Sequence, residues 1–244
     1  MIIKNIAGFR NIQEFVNYKI QLLRNSDKSM KSLYELMFSE RENVMFEESN
    51  GFKIVKTTYG EVKALADKIC GNIHKKINAG NGAVIGLYMD NSPLMIAVFW
   101  AILKAGFCPL LINMRLSDSV IENTITSLKV AAVISDGKKF STNTILAKDL
   151  QNEENDKIGY VFGREFYVMS SGSVSLKICA YTAENIFCII ESHLKRLSAI
   201  RWPFFLGFIC DFAFLIALFS EYMALFDIAA FDKFKVENRM SLIS

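Results

Sequence analysis

The chain is poor in the residues that build metal and redox centres. It has two histidines in 244 residues. His74 and His193 each stand among charged neighbours on a predicted helix, where an imidazole is a solvated or locally satisfied side chain, and neither is assigned a ligand role. The five cysteines, Cys70, Cys108, Cys179, Cys188 and Cys210, form no C-x-x-C pair. Each lies in an apolar stretch where a free thiol behaves as a small hydrophobe, so they are expected to be reduced core residues. Charge of one sign is also scarce: 28 Lys and Arg face 25 Asp and Glu, a net +3 spread along the chain, which gives no warrant for nucleic-acid binding. No apolar leader follows Met1-Ile2-Ile3-Lys4, and the expected location is the cytoplasm. Two nucleotide signatures are missing too. No G-x-x-x-x-G-K-[ST] occurs, and Gly80, Gly82 and Gly86 precede or lie within an apolar strand instead of following one, which removes a dinucleotide fingerprint.

What remains is the composition of a globular protein with a substantial core, 52% hydrophobic and 22% charged. Phe9, Ile12, Phe15, Val16, Ile20 and Leu23 recur at three- and four-residue spacing and predict an amphipathic helix over residues 7–24. Ser32, Leu33, Leu36 and Met37 suggest a second, short helix. Residues 41–56 contain the hairpin dipeptide Asn50-Gly51 and predict two short antiparallel strands. Thr57 or Thr58 can cap a helix running to about Ile77, Glu61 three residues after Thr58 would complete a capping box, and Val62, Leu65, Ala66, Ile69 and Ile73 are its expected buried stripe.

The pattern then becomes α/β. Strands are predicted at residues 83–89, 108–112 and 130–134, and helices at 92–105 and 117–128. Near-continuous apolar strands joined by helices of this length imply a parallel sheet covered on both faces with right-handed crossovers. The first of these helices is apolar almost all round and should be sandwiched between layers. After a polar stretch, with residues 151–157 as an exposed connection, a loop after Phe166 is expected to open a second sheet. A strand at 178–181 and a helix at 182–198 follow. The division expected is an N-terminal helical and hairpin segment (1–56), a first α/β subdomain (57–160) and the start of a second, incomplete one (161–244). Residues 202–219 carry only Asp211 as a charge, close to the length and composition of a membrane span. A central aspartate costs about 2.5 to 3.5 kcal/mol on insertion, and Pro203 and Gly207 interrupt the run, so a buried or incompletely covered helix is favoured over a span.

The chemistry concentrates in Phe166-Tyr-Val-Met-Ser-Ser-Gly-Ser-Val-Ser-Leu-Lys177. A β-prone run breaks into small and hydroxyl residues, and a lysine follows. Phosphate binding needs backbone N–H groups and hydroxyls brought close without Cβ crowding, together with a cation. Ser170, Ser171, Gly172, Ser173 and Ser175 would supply the donors and Lys177 the charge. By composition alone a Ser-rich surface turn between two strands is the more ordinary reading.

Met169-Ser170-Ser171-Gly172-Ser173 followed by Lys177 resembles the phosphate loop of the AMP-forming adenylating enzymes, [YT]-[ST]-S-G-[ST]-T-G-x-P-K-G. This is the family of acyl-CoA synthetases, peptide-synthetase adenylation domains and luciferases. Three more motifs agree in order over residues 57–190. Thr58-Tyr59-Gly60-Glu61-Val62 resembles T-Y-x-E-L, residues 82–91 resemble G-D-x-V-x-I-x-x-x-N, and Leu103-Lys104-Ala105-Gly106-Phe107-Cys108-Pro109-Leu110 resembles L-K-A-G-x-x-x-x-P-L with fewer residues before the proline. The resemblance implies layered sheets with flanking helices, like the N-terminal part of an AMP-forming acyl-CoA synthetase. It further implies ATP and Mg2+, a nucleotide and a carboxylic acid as partners, and a ligase that forms acyl-AMP. Ser170, Ser171, Gly172, Ser173, Ser175 and Lys177 would hold the ATP phosphates.

The departures are specific. The loop is one residue short, with Val174 and Ser175 where a hydroxyl and a glycine are usual. Pro203 and Phe204 hint at P-[LF]-x-H-x-x-G-[LM], but the segment has no histidine. No Y-G-x-T-E or Y-x-T-G-D motif and no lysine of a C-terminal domain follow before Ser244. The expectation is a truncated chain that works as part of a longer or split enzyme with a separate C-terminal half; the alternative is an inactive remnant or interaction module of the same fold.

Overall fold

The computed structural model describes residues 12–49, 51, 53–151, 161–170 and 177–199. Helix α1 (Ile12–Arg24) buries Val16, Ile20 and Leu23, and α2 (Met30–Met37) buries Met30, Leu33, Tyr34 and Met37. Ser29 caps α2 by accepting the Ser32 N–H at 3.1 Å. Strands β1 (Val44–Ser49) and β2 (Ile54–Thr58) form an antiparallel two-stranded sheet. Its turn holds Gly51 at φ +87°, a left-handed backbone that glycine adopts without steric cost.

The expected capping box opens α3 (Tyr59–Lys76). Thr58 Oγ1 accepts the Glu61 N–H at 3.2 Å, and Glu61 Oε2 accepts the Thr58 N–H at 2.7 Å. Helix α4 (Pro93–Lys104) buries every residue from Met95 to Leu103, because α2 and α3 cover it on one side and β3 (Val84–Tyr88) and β4 (Cys108–Leu111) on the other. Trp100, at its centre, is 1% exposed and packs at a tilted ring angle on Tyr34 and edge-on to Phe38.

Chain reversal after α4 depends on close backbone approach. Gly106 (φ +84°) accepts the Gly82 N–H on its carbonyl at 2.7 Å, and the Gly163 N–H reaches the Leu103 carbonyl at 2.6 Å. A Cβ on Gly163 would lie 2.1 Å from the Phe107 carbonyl oxygen, so no other residue fits there without moving the backbone.

Helix α5 (Asp118–Ser127) leads to β5 (Ala132–Ser135), then β6 (Thr144–Leu146) and a 3-10 helix (Ala147–Leu150). After β7 (Glu165–Ser170) and β8 (Lys177–Thr182), α6 (Ala183–Ala199) returns to α1 and α2. Glu191 on α6 accepts Arg24 at 2.5 Å and Lys195 at 2.8 Å, and these bonds, Arg24's first, hold its carboxyl down at about 2.

One six-stranded sheet runs in the order β6-β5-β3-β4-β7-β8. The first five are parallel and β8 is antiparallel. The three strands expected to share a sheet do so, but β7 and β8 join it instead of starting another. Once β5 has paired with β3, β4 retains an open row of N–H and C=O groups, and β7 occupies it. Phe166 and Val168 face the α4 layer, while Met169 fills the smaller cluster under α5 with Leu110, Ile112, Ile121, Ile125, Val130 and Val133. Strand β6 has no counterpart in the sequence reading. It is three residues long with only Ile145 buried, too short for an alternation to show.

The cysteines divide. Cys70 and Cys108 are core residues, Cys179 is half-buried and Cys188 is exposed. The core expectation is therefore corrected for Cys188: its chain neighbours are apolar, but it lies about 200° round the helix from Ile186 and Ile190, which face the core. Cys210 lies outside the described residues, as do residues 152–160 of the polar connection and the apolar stretch 202–219. No helix among the described residues is long and apolar enough to cross a membrane.

Candidate phosphate site

The site assembles at the edge where the parallel strands end. Strands β3, β4, β5 and β7 point the same way, and beyond them come Met89-Asp90, Asn113, Ser135-Asp136 and Ser170. In open α/β sheets this carboxyl edge is where ligands bind. The candidate loop leaves from it.

Ser170 ends β7 and is the register partner of Lys177, which begins β8. The antiparallel pair thus closes a six-residue connection whose two ends are adjacent strand positions. Lys177 is exposed. Ser171, Gly172, Ser173 and Ser175 lie outside the described residues. The structure therefore brings Ser170 and Lys177 together across the hairpin and places the loop's departure at the ligand edge.

The strands beneath the loop are firmly held. Tyr167 Oη donates to Glu165 Oε1 at 2.7 Å, and this bond, with burial, raises the phenol's pKa. Neighbouring Cys108 is pushed up to about 12, by burial first and then by the charge of Glu165. A thiol so far above neutrality is a packing group and not a nucleophile.

Three more features share the edge. At the end of β4, the buried Asn113 (3% exposed) accepts the Arg115 N–H on Oδ1 at 2.9 Å, and its carbonyl accepts the Leu116 N–H at 3.2 Å. Between β3 and β5, Asp136 Oδ2 accepts the Asp90 N–H at 3.3 Å, and Ser135 Oγ donates to the Lys138 carbonyl at 2.6 Å. Beside them Lys138 Nζ stands 5.2 Å from the Tyr88 ring centre and 5.4 Å from that of Phe140, paired with Asp118. The Asp118 hydrogen bond, its largest influence, raises the Lys138 pKa. Sequence reasoning singled out none of these groups. Their signal is positional, the last residue of a strand or one of the three that follow it, and it becomes visible only once the strands are known to be parallel.

His74 packs its ring 5.4 Å from Phe107, which precedes β4 and so marks the opposite edge of the sheet. The side chain of His193 lies outside the described residues. Among the described residues no three His, Cys, Asp or Glu side chains gather where a metal ion could be held. Magnesium thus rests on the family resemblance.

The comparisons with known proteins agree with this geometry. No curated protein matches the sequence. Solved structures do match in fold. The o-succinylbenzoate CoA synthetase MenE of Bacillus subtilis, in complex with its acyl-adenylate intermediate, has TM-score 0.59 at 15% identity, covering 69% of this chain and 47% of its own. The adenylation domain of a keto acid-selecting peptide-synthetase module, bound to a keto acyl adenylate, gives 0.61 at 10%, covering 72% and 36%. The N-terminal subdomain of Klebsiella oxytoca NpsA gives 0.53 at 16%, covering 66% and 44%. The chain thus spans less than half the length of each, and its mixed α/β architecture matches the N-terminal subdomain of adenylating enzymes. The family model described as AMP-binding enzyme matches residues 38–171, more than half of the sequence, and the chain belongs to that AMP-binding family.

Proposed function

We propose that the chain supplies the phosphate-binding part of an ATP-dependent, carboxylate-adenylating ligase that is completed by further residues, in the same polypeptide or on a separate C-terminal half. The reaction joins a carboxylate oxygen to the α-phosphorus of ATP and expels pyrophosphate, giving an acyl-AMP. In this reading Ser170, Ser171, Gly172, Ser173 and Ser175 offer hydroxyl and backbone donors to the β- and γ-phosphates, and Lys177 balances their charge. Holding those phosphates in line with the attacking carboxylate is a positioning and electrostatic role.

The observation that carries the proposal is the strand arrangement: β7 runs parallel to β4, ends at the carboxyl edge, and pairs Ser170 with the exposed Lys177 across the connection. A Ser-rich turn that merely linked two strands would fit either edge of the sheet. Adenine, ribose and acyl contacts have no counterpart among the matched motifs. Binding by this chain alone should therefore follow phosphate more than base, with affinity no better than roughly millimolar.

Calorimetric titration of ATP, GTP and tripolyphosphate tests this. Comparable binding of all three, mostly lost in Lys177→Ala, is the expected result; a strong preference for ATP, or binding unchanged in Lys177→Ala, sinks the loop reading. Pyrophosphate exchange with carboxylic acids, on adding a C-terminal half, tests the adenylation itself.

A further inference from the structure

We infer that the crevice between the carboxyl ends of β3 and β4, under the first turn of α4, binds a small monocarboxylate through the side-chain amide of Asn113 and the Leu94 N–H. The site uses no residue of the phosphate loop and does not rest on that reading.

The first ground is topology. The chain leaving β3 crosses one face of the sheet as α4 and returns as β4. The chain leaving β4 crosses the other face as α5 and returns as β5, on the far side of β3. The two outgoing connections therefore part at the carboxyl ends of β3 and β4. In open α/β sheets such a switch point leaves a crevice, and ligands bind in it. The phosphate loop departs from β7, on the other side of β4.

The second ground is Asn113. Leu87 and Leu111 are register partners on the α4 face, while Ile112 lies on the α5 face and extends the ladder by donating its N–H to the Leu87 carbonyl at 3.0 Å. Strand alternation returns Asn113 to the α4 face, level with Met89, which is buried in the α4 cluster. There the residue is 3% exposed. Its Oδ1 accepts the Arg115 N–H at 2.9 Å, which fixes the amide's orientation, and among the described residues its Nδ2 has no acceptor. A buried donor without a partner costs folding free energy. A ligand oxygen in the crevice would supply the missing partner.

The third ground is the end of α4 that stands over Asn113. Ser92 caps it by accepting the Met95 N–H on Oγ at 3.1 Å and the Ile96 N–H on its carbonyl at 3.2 Å, and Pro93 has no N–H to offer. The Leu94 N–H is left over at the positive end of a helix of 12 residues. Ser92, Pro93 and Leu94 are half-buried, whereas everything from Met95 to Leu103 is sealed, so this end of the helix alone reaches solvent. Charge then selects the ligand. Asp90 and Asp136 stand exposed at the same edge, with Asp136 Oδ2 accepting the Asp90 N–H at 3.3 Å. Two neutral donors at a helix end suit one negative charge shared over two oxygens, and the neighbouring carboxylates repel a phosphate dianion about twice as strongly.

Titration of the isotope-labelled full chain with acetate, followed by amide NMR, is the test. The Asn113 Nδ2 and Leu94 N–H resonances should move together along one saturable curve, and inorganic phosphate at pH 8 should bind more weakly than acetate. Asn113→Asp keeps an acceptor for the Arg115 N–H but puts a charged acceptor where the donor was, and should weaken acetate binding by about tenfold or more. Lys177→Ala should leave acetate binding unchanged. If Asn113→Asp fails to fold, the Nδ2 and Leu94 resonances of the unaltered protein decide the matter. Resonances that stay in place throughout the acetate titration, or wild-type acetate affinity in Asn113→Asp, overturn the site. Phosphate bound as tightly as acetate overturns the carboxylate class, and acetate binding lost in Lys177→Ala overturns the separation from the phosphate loop.

Discussion

Replacing Asp67 with Asn should destabilise the fold by about 2 kcal/mol, and the loss should disappear in acid. Asp67 on α3 accepts Lys104 Nζ and Lys63 Nζ, each at 2.6 Å, and the Tyr34 hydroxyl, so one carboxylate ties α2, α3 and α4 together. Lys104 has a side chain only 11% exposed, while that of Asp67 is 35% exposed. Removing one partner of a fully buried pair costs about 3 to 5 kcal/mol, and an exposed pair is worth about 0 to 1. This half-covered cluster falls between, near 2 kcal/mol, which for a chain of this size lowers the melting temperature by about 4 to 8 °C. Burial opposes the charge on Asp67, but the hydrogen bonds from Lys104, Lys63 and Tyr34 outweigh it and hold the carboxyl below its ordinary range. A carboxyl depressed in the folded state stabilises it at every pH above the unfolded value, and that contribution is lost as pH falls through the folded one. Urea unfolding of wild type and Asp67→Asn at pH 7 and pH 3 should therefore show a gap of about 2 kcal/mol at the first and a narrowing gap below about pH 4. A double-mutant cycle with Lys104→Met should return a coupling of about 1 kcal/mol or more. Curves for Asp67→Asn that coincide with wild type at pH 7, or a gap equally wide at pH 3, would refute the reasoning.

Gly163→Ala should be more damaging than any surface change, because the clash at the Phe107 carbonyl is with backbone; expression in the insoluble fraction or a melting temperature lowered by more than 10 °C, about 3 kcal/mol, is the expected result, and a wild-type melt would show that the α4–β4 reversal is not that tight. Thr58→Ala removes half of the capping box and should cost about 1 kcal/mol in urea unfolding, with a further loss on adding Glu61→Ala, whose carboxylate still accepts the residue 58 N–H. Iodoacetamide at pH 8 should modify Cys188 in the native protein while Cys70 and Cys108, both pushed up to about 12 by burial, react only after unfolding, as counted by intact-mass spectrometry.

Short-range chemistry was legible without coordinates. The capping box of Thr58 and Glu61, the glycine turn between β1 and β2, the apolar strands and the all-round apolar α4 are each decided within a few residues, and from α3 to α6, β6 apart, the helices and strands lie within a residue or two of where those signals put them. The ordered motifs also located the family, since each is a local string. Tertiary structure decided what joins distant strings. Nothing near residue 165 says that β7 takes the open edge of β4, because that edge exists only after α5 has carried the chain across β3 to place β5 on its far side. Asp67 and Lys104 are 37 residues apart in the chain, and Cys188 is exposed because of the helical phase its neighbours impose. For the same reason Asn113 and Arg115 read as an unremarkable turn in the sequence, and only the parallel register of β4 with β7 puts that turn beside the strand that ends at Ser170.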